Sequence, residues 1–409
     1  MLRKLHVLHS LKVARRAVAE KINPVQVLVR EAKDVYRSQF KGEPDVAVFA
    51  PGRVNLIGEH SDYNDGFVMP MALPLVTVIV GKKAPGEEST VYTTHDFKEK
   101  QVTFAMPNQD AVERAVARDG PKWSLYIKGV VAKYLGGSPP AFTAVVHSSV
   151  PLGGGLSSSA SLEVATYVFL DALTGDTSVS MTDKVLACQK AENEYAEMPC
   201  GIMDQYISFM GKEGHALLID CRSMTSTLIP VADENVVFLV INSNVKHELT
   251  SSEFHTRRKQ CEEAARILKK ASLRDANLED IQHLQCIDTD EVIVRRARHV
   301  ITERHRTVEG AEMLKQRNYD KFGLLMKESH LSLKEDFEVS CPELDELVAL
   351  ALEVDGVLGS RMTGAGFGGC TVSLVCTHAV DNMIDHIKKN YKGNATFYIC
   401  KPGPGASRI

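Results

Sequence analysis

The stretch Pro51-Gly52-Arg53-Val54-Asn55-Leu56-Ile57-Gly58-Glu59-His60-Ser61-Asp62-Tyr63-Asn64 comes directly after the apolar run Val46-Ala47-Val48-Phe49-Ala50. The run reads as a buried strand. The stretch itself carries one cation, two carboxylates, an imidazole and two amides, interleaved with Val54, Leu56 and Ile57. The apolar residues tie the segment to a core, so the polar ones must face something. A charged surface turn is the plain reading. A small polyol is the sharper one, because each hydroxyl needs a placed donor or acceptor.

Working outward, strand patterns fall at Leu75–Gly81, Ser89–Thr94 and Phe142–Ser149, and helical patterns at Trp123–Leu135, Ser159–Leu173 and Asp183–Tyr195. Further on, strands at Ala216–Asp220, Val236–Asn242 and Gly369–Cys376 mix with helices at Phe254–Ala271, Asp290–Glu309, Tyr319–Leu333 and Pro342–Ala351. There is no regular βαβ beat, so the fold class is α+β. At 409 residues the chain is too long for one simple core, and two domains are expected. The divisions read as a basic extension over 1–24, an N-terminal domain over 25–212 and a C-terminal domain over 213–409.

Bulk properties narrow the function. The apolar fraction is 44% and the charged fraction 24%, as in soluble globular proteins. A net charge of -4 gives no electrostatic reason for nucleic-acid binding. The basic clusters Arg257-Arg258-Lys259 and Arg295-Arg296-Ala297-Arg298 read as solvated helix faces. Nine cysteines without a C-x-x-C pair fit reduced thiols in the cytoplasm, not a disulfide framework or a zinc site. The longest apolar run, Val68 to Val80, is interrupted by Pro70 and Pro74 and is too short to span a membrane. Met1–Lys21 carries Arg3, Lys4, Lys12, Arg15, Arg16 and Lys21 against the single acid Glu20, with leucines at helical spacing. It reads as a frayed basic helix on a cytoplasmic protein, with a mitochondrial transit peptide as the alternative.

Three further segments carry chemistry. Pro151-Leu152-Gly153-Gly154-Gly155-Leu156-Ser157-Ser158-Ser159-Ala160-Ser161 joins a strand to a helix. Its glycines allow close backbone approach, its serines can cap the helix, and bare N–H groups at a helix start favour phosphate. No Lys follows the last glycine, so it is not a Walker A loop. Phosphate charge must then be met by N–H groups, Mg²⁺ and other side chains, and a serine hydroxyl at the helix start suits Mg²⁺. Gly359–Cys370 contains a G-x-G-x-x-G match at Gly364, Gly366 and Gly369, but a strand pattern follows it. That context predicts tight backbone packing, not a dinucleotide site. In Met198–Tyr206, Asp204 sits among apolar neighbours just after a helix bearing Glu192. It reads either as a helix cap or as a carboxylate needing a partner, and Arg53 is one the sequence offers.

Together these segments closely resemble the galactokinase family, within the superfamily that also holds homoserine, mevalonate and phosphomevalonate kinases. Pro51–Asn64 resembles the family's sugar signature, Pro151–Ser161 its phosphate loop and Arg361–Cys370 its third motif, and the likeness spans roughly Val25 to Cys400. The resemblance implies a two-domain small-molecule kinase with its active site in the cleft between domains. It implies ATP-dependent phosphorylation of galactose at C1, the first committed step of galactose breakdown. Arg53 and Asp204 would form the catalytic pair, and Glu59, His60 and Asp62 would bind sugar hydroxyls. Gly153, Gly154, Gly155, Leu156, Ser157, Ser158 and Ser159 would wrap the ATP phosphates. Ser159 and Glu192 would hold Mg²⁺, and Trp123 and Tyr126 would lie near the adenine. Galactose and ATP are the expected partners, and the chain is expected to act as a monomer.

Some positions depart from the family pattern. Phe254 stands where a sugar-binding tyrosine is usual, removing about one hydrogen bond, roughly 0.5–1.5 kcal/mol. Leu125 replaces an asparagine common near the nucleotide. Two rivals remain: an N-acetylgalactosamine kinase, kept open by Phe254, and a non-catalytic galactose and ATP sensor. The uninterrupted Ser157–Ser161 run, with Arg53 and Asp204 both present, argues against the sensor.

Overall fold

The computed structural model describes residues 24–107, 116–246 and 250–409. The basic extension, with both readings of Met1–Lys21, lies outside the described residues. The chain runs α1 (Pro24–Phe40), β1 (Val46–Asn55), β2 (Phe67–Val68), β3 (Pro70–Lys83), β4 (Glu88–Thr93) and β5 (Gln101–Ala105). Then come α2 (Lys122–Lys133), β6 (Phe142–Ser148), α3 (Ser158–Thr174), α4 (Met181–Tyr195) and α5 (Met203–Met210). Next are β7 (His215–Asp220), β8 (Thr225–Pro230), β9 (Val236–Lys246), α6 (Thr250–Ile267), α7 (Leu278–Cys286), α8 (Glu291–Lys315), α9 (Tyr319–Glu335) and α10 (Pro342–Leu352). The chain closes with β10 (Val357–Thr363), β11 (Gly368–Cys376), α11 (Val380–Asn390), β12 (Thr396–Cys400) and β13 (Ser407–Arg408).

A six-stranded sheet has the order β13-β1-β3-β6-β4-β5 and a four-stranded sheet the order β10-β11-β9-β12. Side-chain alternation explains how both are covered. In β1, Val46, Val48 and Ala50 enter the core under α2–α5, while Ala47 and Phe49 meet Leu28, Val29, Ala32 and Tyr36 of α1. In β9, Val236, Phe238 and Val240 face one core, and Val237, Leu239 and Ile241 face another with α10 and α11. Strands covered on both faces read as continuous apolar runs, and period-two geometry sorts them. The result is the expected α+β class.

The structure corrects several boundaries and one charge reading. β1 runs to Asn55, five residues beyond the apolar run, so Arg53 lies on the strand itself. β3 contains both Pro70 and Pro74, because the register with β1 shifts between Pro51 and Arg53 and Pro74 falls within that irregularity. The basic clusters are not simple solvated faces. Arg257 and Arg296 are buried, donating to the Phe337 carbonyl at 2.7 Å and to Gln260 at 2.9 Å. Their charges lock α6 and α8 to the segment after α9. Two strand pairings cross the expected division at 213. β7 pairs with β2, and the C-terminal β13 pairs with β1 at Val48 and Phe49.

Candidate active site

The site begins with the absence of a Cβ. A Cβ on Gly52 would stand 2.6 Å from the Leu156 carbonyl oxygen and 2.9 Å from Val150. Without it, the Arg53 N–H donates to that carbonyl at 3.1 Å, stitching β1 to the glycine loop. Arg53 then forks onto Asp204, Nε to Oδ1 at 2.7 Å and Nη2 to Oδ2 at 3.0 Å, a strong and directional pairing. Its Nη1 donates to the Gly155 carbonyl, and the Ser157 hydroxyl donates to Asp204 Oδ2. The Arg53 side chain is 7% exposed and that of Asp204 20%, so the pair is sheltered but reachable from solvent. Asp204 lies in the first turn of α5, where the helix dipole favours an acid. It is neither the N-cap, which is Ile202, nor without a partner.

The glycine loop is built on left-handed backbone at Gly153 (φ 68°), Gly155 (φ 70°) and Ser157 (φ 56°). Alternation of this kind is the pattern of concave N–H nests that bind anions. Ser157 takes the N-cap position of α3 but makes no side-chain cap bond. The expected capping role is corrected: its hydroxyl goes to Asp204 instead. Leu156 is wholly buried and is not among the residues that wall the neighbouring cleft. The third glycine segment packs behind the loop, as its context predicts. Added Cβ atoms on Gly364 and Gly369 would stand 3.1 and 3.2 Å from the carbonyl oxygens of Gly155 and Gly154. Beside the loop opens a cleft of about 260 Å³ walled by Phe97, Trp123, Tyr126, Gly153, Ser158 and Ser159. Trp123 lies parallel to Phe97, ring centroids 6.4 Å apart, and its indole N–H donates to the Glu99 carbonyl at 3.0 Å. Leu125 is not among the walls. A larger cavity of about 490 Å³ near Val231–Phe238 shares no residue with this cleft, so chemistry and not volume selects the site.

On the other side of the Arg53–Asp204 pair lies the signature loop. Burial, with the charge of Asp204, pushes Asp62 up to about 6. Gly201 makes room for it: a Cβ there would stand 2.0 Å from Asp62 Oδ2. Glu59 is 1% exposed; it pairs with Arg361 and accepts from Thr363 Oγ1 and the Gly364 N–H, each at 3.1 Å. His60 Nδ1 bonds the Tyr63 hydroxyl at 2.8 Å, and its ring packs against Phe254 and Phe337, centroids 5.7 and 4.6 Å away. Burial drives His60 down to about 3, keeping it neutral. Phe254 also meets Tyr63 at 5.3 Å, so the ring closes an aromatic patch around His60.

Behind Asp204 is a carboxylate cluster. Gln205 Nε2 donates to Glu192 Oε2 at 2.6 Å and to Glu163 Oε2 at 2.9 Å. Burial raises both carboxyls; the charge of Glu192 adds to the rise of Glu163, and that of Asp204 to the rise of Glu192. A hydrogen bond from Ser159 works against the rise at Glu192, placing those two side chains together. Among the described residues no group of three or more His, Cys, Asp or Glu side chains could hold a metal alone. An oxygen pair beside a phosphate loop still fits Mg²⁺, which takes one or two protein oxygens and completes its shell with phosphates and water.

Three residues around the site escaped the sequence reading. Glu303 of α8 accepts from the Gly58 N–H at 2.9 Å and the Ser329 hydroxyl at 2.6 Å, under the signature loop. Against the cost of burial, Arg306 with His299 and Arg361 holds it down at about 2. The available signal was His299, Glu303 and Thr307 recurring every four residues on the buried face of a helix. Glu163 and Gln205 gave no comparable signal.

Family models agree with this layout. Residues 34–83 match the galactokinase galactose-binding signature, 125–212 the GHMP kinase N-terminal domain and 311–393 the GHMP kinase C-terminal model. The chain is 52% identical to human galactokinase over 384 residues, covering 93% of this chain and 97% of that one. It is 41% identical to Haemophilus influenzae galactokinase over 392 residues, covering 93% and 99%. Lactococcus lactis galactokinase, solved with galactose, superposes with a TM-score of 0.85 at 31% identity, covering 92% of this chain and 98% of that one. Methanococcus jannaschii mevalonate kinase, at 19% identity and a TM-score of 0.61 over 89% and 99% of the chains, shares the fold. With a sugar signature, a phosphate loop and an Arg–Asp pair joined in one site, and identity of this extent along nearly the whole chain, the protein belongs to the galactokinase family.

Proposed function

We propose that this protein transfers the γ-phosphoryl group of ATP to the C1 hydroxyl of galactose, giving galactose 1-phosphate and ADP. One observation carries the reading: the Arg53–Asp204 pair bonds to Gly155 and Ser157 of the phosphate loop while facing Asp62 of the sugar signature. A phosphoryl donor and a polyol acceptor held on those two sides meet at the pair.

Phosphoryl transfer depends on positioning and charge stabilisation. Arg53, fixed by its fork, is the cation that meets the transferring group. Asp204 orients the C1 hydroxyl. As the C1 oxygen–phosphorus bond forms and the bond to the ADP oxygen breaks, the hydroxyl proton passes to its carboxylate and then to solvent. Asp62, Glu59 and His60 take sugar hydroxyls, and Phe254 offers them an apolar edge where a hydroxyl is usual. Gly153–Ser159 receive the phosphates, and Trp123 and Tyr126 flank the base. Ser159 and Glu192 would hold Mg²⁺, whose charge would offset that of the phosphates. We divide the domains at 213, with the C-terminal residues returning to the first sheet. We also assign a monomer in the cytoplasm. All nine cysteines are unpaired, and no helix among the described residues is long and apolar enough to cross a membrane.

The assay that tests this is ADP release with and without galactose across about pH 5 to 8. Asp62 is neutral below about pH 6 in the free protein and ionised above it. The galactose KM is therefore expected to fall as pH rises through 6, by about tenfold between pH 5 and 7, and D62N should flatten the profile. Galactose binding without ADP release would overturn the assignment in favour of a sensor.

A further inference from the structure

The signature loop is gripped from outside by a residue that phosphoryl transfer itself leaves unused. Arg274 lies in the 3₁₀ turn Leu273–Asp275, between α6 and α7. Its Nη2 donates to Asp220 Oδ2 at 2.9 Å, and its Nη1 donates to the Asp65 carbonyl at 3.2 Å. The guanidinium carbon stands 3.9 Å from the centre of the Phe67 ring. These contacts fall at the end of the loop that carries Asp62. Asp65 closes the turn Asp62–Asn64 in a left-handed conformation (φ 57°), and its N–H donates to the Asp62 carbonyl at 3.2 Å. Phe67 opens β2, paired with Asp220 of β7.

The gripping turn is itself anchored. Arg304 of α8 donates to the Arg274 carbonyl. Arg222 forks onto Asp275 at 2.7 and 2.9 Å and lies 3.7 Å from Asp65 Oδ2. Arg274 therefore links a fixed helical frame to the end of a loop whose carboxylate must sit correctly for the sugar.

We propose that Arg274 is a positioning residue for galactose: it fixes the Asp62 turn and so sets sugar affinity without taking part in nucleotide binding or transfer. The proposal rests on Asp62 being a sugar ligand. Three simultaneous contacts, one a stack, need a planar fork, which a lysine ammonium lacks.

The test uses the full chain with R274A, R274K, D62N and the D62N/R274A double variant. Galactose affinity is read by calorimetry without nucleotide, alongside kcat, the ATP KM and the urea midpoint. R274A and R274K are each expected to weaken galactose binding about tenfold, with kcat at saturating sugar and the ATP KM within about twofold of the parent. The double variant should bind galactose no more weakly than D62N alone, because both changes act through one carboxylate. If D62N weakens galactose and R274A does not, the proposal fails while the Asp62 reading stands. If D62N leaves galactose binding intact, both fail. Equal losses for galactose and ATP would show a merely structural role, and full affinity in R274K would show that charge alone suffices; either result overturns the proposal. R274K keeps the test open should R274A not fold.

Discussion

Replacing Asp204 with Ala is expected to lower galactose-dependent ADP formation by about 10²–10⁴-fold, near the range for removing a positioned proton-accepting group. The carboxylate is touched by β1 through Arg53 and by the phosphate loop through Ser157, from its own place on α5. Its loss removes the group that orients the C1 hydroxyl and releases Arg53 from the geometry that meets the phosphoryl group. D204N separates these effects. Asn keeps the shape and can still accept one hydrogen bond from Arg53, but it takes no proton. If orientation dominates, D204N retains more turnover than D204A. If proton acceptance dominates, the two variants fall together. Single-turnover ADP release, compared with galactose Kd for each variant, reads both outcomes.

The second large effect concerns stability. Arg361 is fully buried and donates to the Asn55 and Leu56 carbonyls at 3.4 and 3.3 Å. It pairs with Glu59 and lies 3.8 Å from Glu303. R361M is expected to cost about 3–5 kcal/mol, because it leaves Glu59 buried without its cation. Adding E59Q to R361M should recover a large part of that loss, since the stranded charge is then gone. Urea unfolding of the parent, both single variants and the double variant measures the coupling. A double variant as unstable as the sum of the singles would show that the two side chains do not act as a pair.

Much of this site was legible in the sequence where the signal is local. The glycine loop, the start of the helix after it and the polar run after Val46–Ala50 each lie within a dozen or so residues, and their composition states their chemistry. Arg53 and Asp204 were both visible, and Arg53 was a partner the sequence offered Asp204; the fold closes that contact across 151 residues. β1 was read too short because a register shift, not an apolar pattern, carries the strand through Pro51 to Asn55. The two basic clusters inside helices were read as solvated, since amphipathic reasoning sends charge outward. Arg296 and Glu303 break that rule, because each meets hydrogen-bonding partners inside the core, Glu303 from a loop 245 residues away. Arg274 was silent for the same reason: an arginine in a short turn states nothing about the loop it will grip.

The central claim is that Arg53 and Asp204 direct the phosphoryl group onto the C1 hydroxyl of galactose. Phosphorus–proton correlation NMR of the product formed from ATP and galactose tests it most directly. The phosphorus is predicted to couple to the anomeric proton, in an amount equal to the ADP released. Coupling to the C6 protons, or ADP released with no sugar phosphate formed, would contradict the account.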